Sequence, residues 1–187
     1  MITHISINEC TRTDFINPKT ITYTQNGVKK SWDMVQVHDS MAVILYHRDN
    51  DTLLCVKQFR PPVYIKNGDG YTYELCAGIV DKDLSLEQIA KEEILEECGY
   101  SVSLENIERV TSFYTSVGFA GSHQTLFFAE VDESMRVNSG GGIDDEVIEV
   151  IAIPTSKAKL FVMDETKAKT TGIMFGFEWF LENRHKS

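Results

Sequence analysis

No stretch of this chain is apolar for long enough to cross a bilayer: the best run, Met41 to Tyr46, has six residues, where a spanning helix needs about 20. The opening residues Met1-Ile2-Thr3-His4-Ile5-Ser6 lack both a basic start and an apolar stretch, so no secretory leader is read there and the expected setting is cytoplasmic, away from any membrane. Basic charge is scarce, with 18 Lys and Arg against 28 Asp and Glu and a net charge of -10. A nucleic-acid surface needs a basic stripe, so nucleic acid is excluded as a partner. The four cysteines, Cys10, Cys55, Cys76 and Cys98, form no C-x-x-C pair. They read as unpaired thiols of a reducing compartment, and the five histidines are not spaced to complete a zinc site. An anionic small molecule is still allowed as substrate, because a bound divalent cation inverts the potential of an acidic cleft.

No repeat, low-complexity tract or linker divides the chain, and 187 residues with 42% hydrophobic and 25% charged content suit one domain spanning 1–187. Alternating or continuous apolar runs predict strands at Trp32 to Val37, Ala42 to His47, Thr52 to Phe59, Tyr71 to Cys76, Arg109 to Tyr114, Gln124 to Val131 and Val147 to Ile153. Arg48-Asp49-Asn50-Asp51 reads as a hairpin turn, and Asn26-Gly27 as a tight turn joining Thr20–Gln25 to Lys30–Val37. Helices are expected near Leu86 to Cys98, Thr155 to Asp164 and Gly172 to Asn183. The order predicts an α/β fold in which a mixed sheet is covered by helices on both faces, with an N-terminal hairpin in segment 1–37.

The helix expected over Leu86 to Cys98 carries acids on its inner side. Ser85 and Gln88 are spaced as a capping box and Gly99 as a stop. At about 100° per residue, Leu86, Ile89, Ala90 and Ile94 share one arc, and Glu93 and Glu97 fall inside it. Glu96 and Glu87 lie at its edges. A carboxylate turned toward a core is costly unless it is paired or bound to metal. Glu93, Glu96 and Glu97, at i, i+3 and i+4, form a hard-oxygen set suited to Mg2+.

Segment 78–100 resembles the Nudix box, a leading glycine followed by Arg-Glu-U-x-Glu-Glu-x-Gly-U with U aliphatic: Gly78, Glu93, Ile94, Glu96, Glu97 and Gly99 fall in register. Three positions differ. Leu84 stands for the first box glutamate, Glu92 for the arginine and Tyr100 for the last aliphatic residue, and the neighbouring Lys91 is the first candidate to replace the arginine's charge. Glu74-Leu75-Cys76-Ala77, Lys30-Ser31-Trp32-Asp33, Val56-Lys57-Gln58-Phe59-Arg60-Pro61, Gly118-Phe119-Ala120-Gly121-Ser122 and Gly140-Gly141-Gly142 are similar to segments of the Nudix enzymes that act on nucleotide sugars, those of uridine diphosphate above all.

The resemblance implies a homodimeric Nudix fold that hydrolyses the pyrophosphate of UDP-glucose to UMP and glucose 1-phosphate with Mg2+, for which Mn2+ can substitute. ADP-ribose or another ADP-sugar is the alternative substrate, and a nucleotide-sugar binder with impaired turnover is the alternative class. Glu93, Glu96, Glu97 and the Ala77 carbonyl are the implied metal ligands. Asp144 or Glu146, in the loop after the glycines, is the implied base. Arg60, placed before Pro61-Pro62, suits bidentate phosphate contact. Glu74 and Gly118 complete the expected substrate contacts, and Tyr64, Phe119 and Trp32 remain alternatives for stacking on the base.

Overall fold

The computed structural model describes residues 2, 5–8, 16–143 and 145–184. These fall into two units, Met1–His38 with Tyr114–Ser122 and Asp39–Phe113 with His123–Ser187. In the first unit, β1 (Asn17–Gln25) and β2 (Val28–Gln36) form a two-stranded antiparallel hairpin in which Gln25 faces Val28. Asn26 and Gly27 both have positive φ, 53° and 78°. That is the backbone that matches the twist of a two-residue hairpin loop, and it explains the Asn-Gly pair. Val35 donates its backbone N–H to the Phe119 carbonyl at 2.8 Å, and the Trp32 indole donates to the Gly118 carbonyl at 2.7 Å.

The second unit is built on a mixed sheet. Its strands β3 (Ser40–His47), β4 (Thr52–Phe59), β5 (Tyr71–Glu74), β6 (Cys76–Ile79), β7 (Ile107–Thr115), β8 (Ser122–Val131) and β9 (Ile148–Pro154) run in the order β5-β4-β3-β8-β7. β6 adds to β3 and β9 to β4. β3 and β8 are parallel, whereas β3–β4, β3–β6, β4–β5 and β4–β9 are antiparallel. β3 is apolar almost throughout because both of its faces are covered. Met41, Val43 and Leu45 pack with Ile89, Ala90 and Ile94 of the box segment. Ala42 and Ile44 pack on the other face with Ala158 and Val162 of α3 (Thr155–Met163) and Ile173, Phe177 and Phe180 of α4 (Thr171–Asn183). The expected three-layer α/β/α architecture is therefore observed, each buried large apolar side chain contributing roughly 1.5–3 kcal/mol.

The expected strand over Tyr71 to Cys76 is two strands. β5 pairs with β4 and β6 pairs with β3, so the chain changes partner at Leu75, where β3 and β4 diverge. Pairing then carries on through Ala77 and Gly78 to Ile79, which places Ala77 inside a strand instead of a turn. A short helix, α1 (Pro61–Asn67), follows β4 where the sequence indicated no helix. Both prolines sit in its first turn, where a missing N–H costs nothing and the fixed φ is already helical. None of its residues is buried, so it leaves no periodic signal.

The box helix is α2 (Leu86–Glu93), opened by the expected capping box: Gln88 N–H donates to Ser85 Oγ at 3.2 Å, and Ser85 N–H donates to Gln88 Oε1 at 2.8 Å. From Ile94 to Cys98 the helix widens into one π turn, closed by Gly99 in the left-handed region at φ 82°. A Cβ on Gly99 would lie 2.3 Å from the Asn138 carbonyl oxygen. Gly99→Ala is therefore expected to cost about 3 kcal/mol, a fall in melting temperature of roughly 6–12 °C. Thermal unfolding followed by circular dichroism checks this, and a fall of under about 2 °C would contradict it. No helix among the described residues is long and apolar enough to cross a membrane. Cys55, Cys76 and Cys98 are buried free thiols, and Cys10 lies outside the described residues.

Candidate active site

Residues from four segments of the second unit form an acidic site where the sheet divides. Glu97, on the π turn, is 5% exposed, and its Oε2 accepts the Ala77 backbone N–H at 3.0 Å. Burial raises its pKa to about 8; the charges of Glu93 and Glu146 add to this, while the Ala77 N–H and the Cys76 thiol hold it back. Glu93, at the end of α2, is half-buried. Its pKa is raised to about 7 by burial first and the Glu96 charge next, with Lys82 opposing. Glu93 reaches across Gly78 so closely that a Cβ there would stand 2.2 Å from Glu93 Oε1. The leading glycine of the box thus clears the path of the Glu93 carboxylate.

The widening at Ile94 alters the helical-face argument. Beyond that point the rotation per residue is smaller than in an α-helix, so Glu93 and Glu97 are not stacked as a regular i, i+4 pair. Glu97 is still turned inward and Glu96 lies at the margin, partly exposed. Carbonyls released by the π turn find donors in the glycine cluster: Gly141 N–H donates to the Glu97 carbonyl at 2.9 Å and Gly142 N–H to the Glu96 carbonyl at 3.0 Å. Gly140, Gly141 and Gly142 have φ of 68°, 116° and 87°, and a Cβ on Gly140 would lie 2.3 Å from the Glu97 carbonyl oxygen. Three consecutive residues in this region are accessible only to glycine at low cost. The cluster ties the loop to the end of the box helix. It delivers Glu146, whose carboxylate accepts the Ile143 N–H at 3.1 Å and whose charge acts on Glu93, Glu97 and Arg60.

Arg60 brings a cation to the site. Its Nε and one terminal nitrogen each donate to a Glu74 carboxylate oxygen at 2.9 Å, and Thr72 Oγ1 donates to Glu74 Oε1 at 2.5 Å. The hydrogen bond to Glu74 raises the Arg60 pKa, and the charges of Glu74, Glu97 and Glu146 add to it. Glu74 is therefore engaged with the arginine side chain, and the guanidinium is held on the acidic side.

Of the remaining expected residues, Gly118 belongs to the first unit, where its carbonyl accepts the Trp32 indole. Asp144 lies outside the described residues. Phe119 is 57% exposed, Trp32 is 54% exposed, and the Tyr64 ring packs 5.8 Å from that of Phe59. Lys91 is not the cation beside the helix acids: it is exposed and acts on Glu105. That place is taken by Lys82, whose Nζ donates to Glu92 Oε2 at 2.7 Å.

Among the described residues no three His, Cys, Asp or Glu side chains converge tightly enough to form a finished metal cage. The donor set nevertheless fits a hard divalent ion: every candidate is an oxygen, and burial disfavours the ionised form of both Glu93 and Glu97. A site made of inward acids, an arginine and a box helix starting at a crowded glycine has the makings of a phosphate-processing centre.

The NUDIX domain model matches residues 37–171, and the chain belongs to that family. Nudix hydrolases generally use divalent metal ions, and the family supports a hydrolase acting on pyrophosphate bonds. Over 94% of this chain and 92% of the relative, it is 37% identical to uridine diphosphate glucose pyrophosphatase NUDT14 of Bos taurus. The mouse protein of the same name is 34% identical over the same shares. GDP-mannose pyrophosphatase of Pectobacterium atrosepticum is 41% identical over 67% of this chain and 64% of its own length.

Proposed function

We propose that the protein hydrolyses the pyrophosphate of a nucleoside diphosphate sugar in a Mg2+-dependent reaction, with UDP-glucose as the principal substrate and UMP and glucose 1-phosphate as products. The observation that carries this reading is the buried Glu97, accepting the Ala77 N–H, with the half-buried Glu93 beside Gly78 and Arg60 close enough for its charge to act on Glu97. The similarity to uridine diphosphate glucose pyrophosphatases over nearly the whole chain supports the choice of substrate.

Glu93, Glu97, Glu96 and the Ala77 carbonyl would hold Mg2+, or Mn2+ in its place. The cation, when bound, neutralises charge on the pyrophosphate oxygens. Arg60, kept in orientation by Glu74, adds bidentate contact to a phosphate. Glu146 or Asp144 takes the proton of the attacking water as its oxygen adds to one phosphorus. The oxygen that bridged the two phosphorus atoms leaves with the other phosphate. Residues 1–187 work as one Nudix domain in the cytoplasm, and 1–37 supplies a homodimer contact. Light scattering at micromolar concentration tests the last point: twice the chain mass is expected, and a monomer would contradict it.

GDP-mannose is the second reading, favoured by the 41% identity to a GDP-mannose pyrophosphatase over a shorter span. ADP-ribose is the third. Measuring kcat/KM for UDP-glucose, GDP-mannose and ADP-ribose side by side is expected to rank UDP-glucose first by at least about tenfold. A higher value for either competitor would overturn the substrate assignment while leaving the reaction class intact.

A further inference from the structure

We propose that Lys82 and Glu92 act as a pair that fixes where positive charge stands beside the helix carboxylates, with Lys82 a positioning residue and Glu92 its tether; this rests on the divalent-cation reading given above. Lys82 lies in the bend between β6 and α2, three residues before the capping Ser85, so its backbone is anchored at the start of the helix. Its Nζ donates to Glu92 Oε2 at 2.7 Å. Both side chains are partly open to solvent, 45% and 41% exposed. A pair this exposed contributes little to stability, so its consequence is positional.

Lys82 is close enough to Glu93 and Glu96 for its charge and theirs to act on each other. The Arg60 guanidinium acts on the charge of Glu97 and is held by Glu74. Each of the two cations is therefore occupied by an acid that is not expected to bind metal, Glu92 for Lys82 and Glu74 for Arg60. The arrangement matters because an untethered lysine beside two half-buried carboxylates would pair with them directly. An ammonium resting on Glu93 or Glu96 occupies the oxygens a divalent cation needs. Glu92 prevents that by offering a nearer partner, at 2.7 Å. The glutamate found where the box signature has arginine is, in this chain, the acceptor of a reversed ion pair that keeps the cradle open.

A double-mutant cycle read by direct metal binding tests this. Mn2+ is titrated, without substrate, into the full chain and its Glu92→Gln, Lys82→Met and Glu92→Gln/Lys82→Met variants, with free Mn2+ followed by electron paramagnetic resonance. Glu92→Gln is expected to weaken Mn2+ binding by about tenfold, the size of one added close charge near a protein surface. Lys82→Met is expected to bind at least as tightly as the natural chain. In the Lys82→Met background, Glu92→Gln is expected to have no further effect, because no ammonium is left to move. The same Glu92→Gln penalty in both backgrounds would reduce the effect to net charge and overturn the proposal, as would no penalty in either. Failure of the natural chain to bind Mn2+ would overturn the metal reading and this inference together. Absence of UDP-glucose hydrolysis by a chain that binds Mn2+ and shows the expected cycle would count against the enzymatic reading alone.

Discussion

Glu97→Gln is expected to lower UDP-glucose hydrolysis by roughly 10³-fold, the scale on which loss of one central electrostatic group slows an enzyme, while the folded protein is retained. Fold and function separate at this residue because its two carboxylate oxygens have different surroundings. Oε2 accepts the Ala77 N–H, and a glutamine carbonyl oxygen can do the same. The negative charge itself is opposed by burial, which raises the pKa to about 8 despite the Ala77 N–H and the Cys76 thiol and the charge of Arg60. Removing it leaves the metal-free fold as stable or slightly more so.

The sign of the pH dependence follows. A carboxyl whose folded pKa, about 8, exceeds its ordinary value of 4.5 binds its proton more tightly in the folded state. Its contribution to stability is complete below about pH 4.5 and is lost as pH rises through 8. In EDTA, the melting temperature of the natural chain is therefore expected to fall between pH 5 and 8.5, and that of Glu97→Gln to fall less. Equal slopes, or a near-normal rate in the variant, would remove Glu97 from the site.

Gly78→Ala is expected to produce the second largest loss, about 10²-fold in rate, which is what a displacement of about 1 Å can cost a catalytic group. The added methyl would stand 2.2 Å from Glu93 Oε1, 2.5 Å from Cδ and 2.7 Å from Cγ. A flexible side-chain end is what lies in its way, so the fold accommodates it by swinging the Glu93 carboxylate aside. Melting temperature is expected to change little, and Mn2+ binding to weaken in step with activity. Wild-type activity in Gly78→Ala would mean that the position of Glu93 over the glycine is irrelevant to the reaction.

Much of the scaffold was legible in the sequence because each signal was local. Ser85 and Gln88 announced the start of α2, Gly99 its end, Asn26-Gly27 the hairpin, and the order of strands and helices a sheet covered on both sides. What escaped depended on longer-range pairing or on departures from ideal geometry. No helix was expected after β4, although prolines also open helices, and so α1 was missed. The change of partner at Leu75 is decided by how β3 and β4 diverge, which no local pattern records. The π turn broke the assumption of uniform rotation beyond Ile94. Lys91 was chosen as the compensating cation by nearness in sequence, whereas Lys82 reaches Glu92 from ten positions away. Three adjacent glycines before an acid were the signal for a backbone-capping loop. Their meaning required knowing which carbonyls the helix end left free.

The most direct test of the central claim is product analysis of UDP-glucose incubated with the purified chain, with Mg2+ and with EDTA. UMP and glucose 1-phosphate in equal amounts with Mg2+, and neither with EDTA, are the expected result. Binding of UDP-glucose with no cleavage in Mg2+, and none of GDP-mannose or ADP-ribose, would contradict it and leave a nucleotide-sugar binding protein on a Nudix fold.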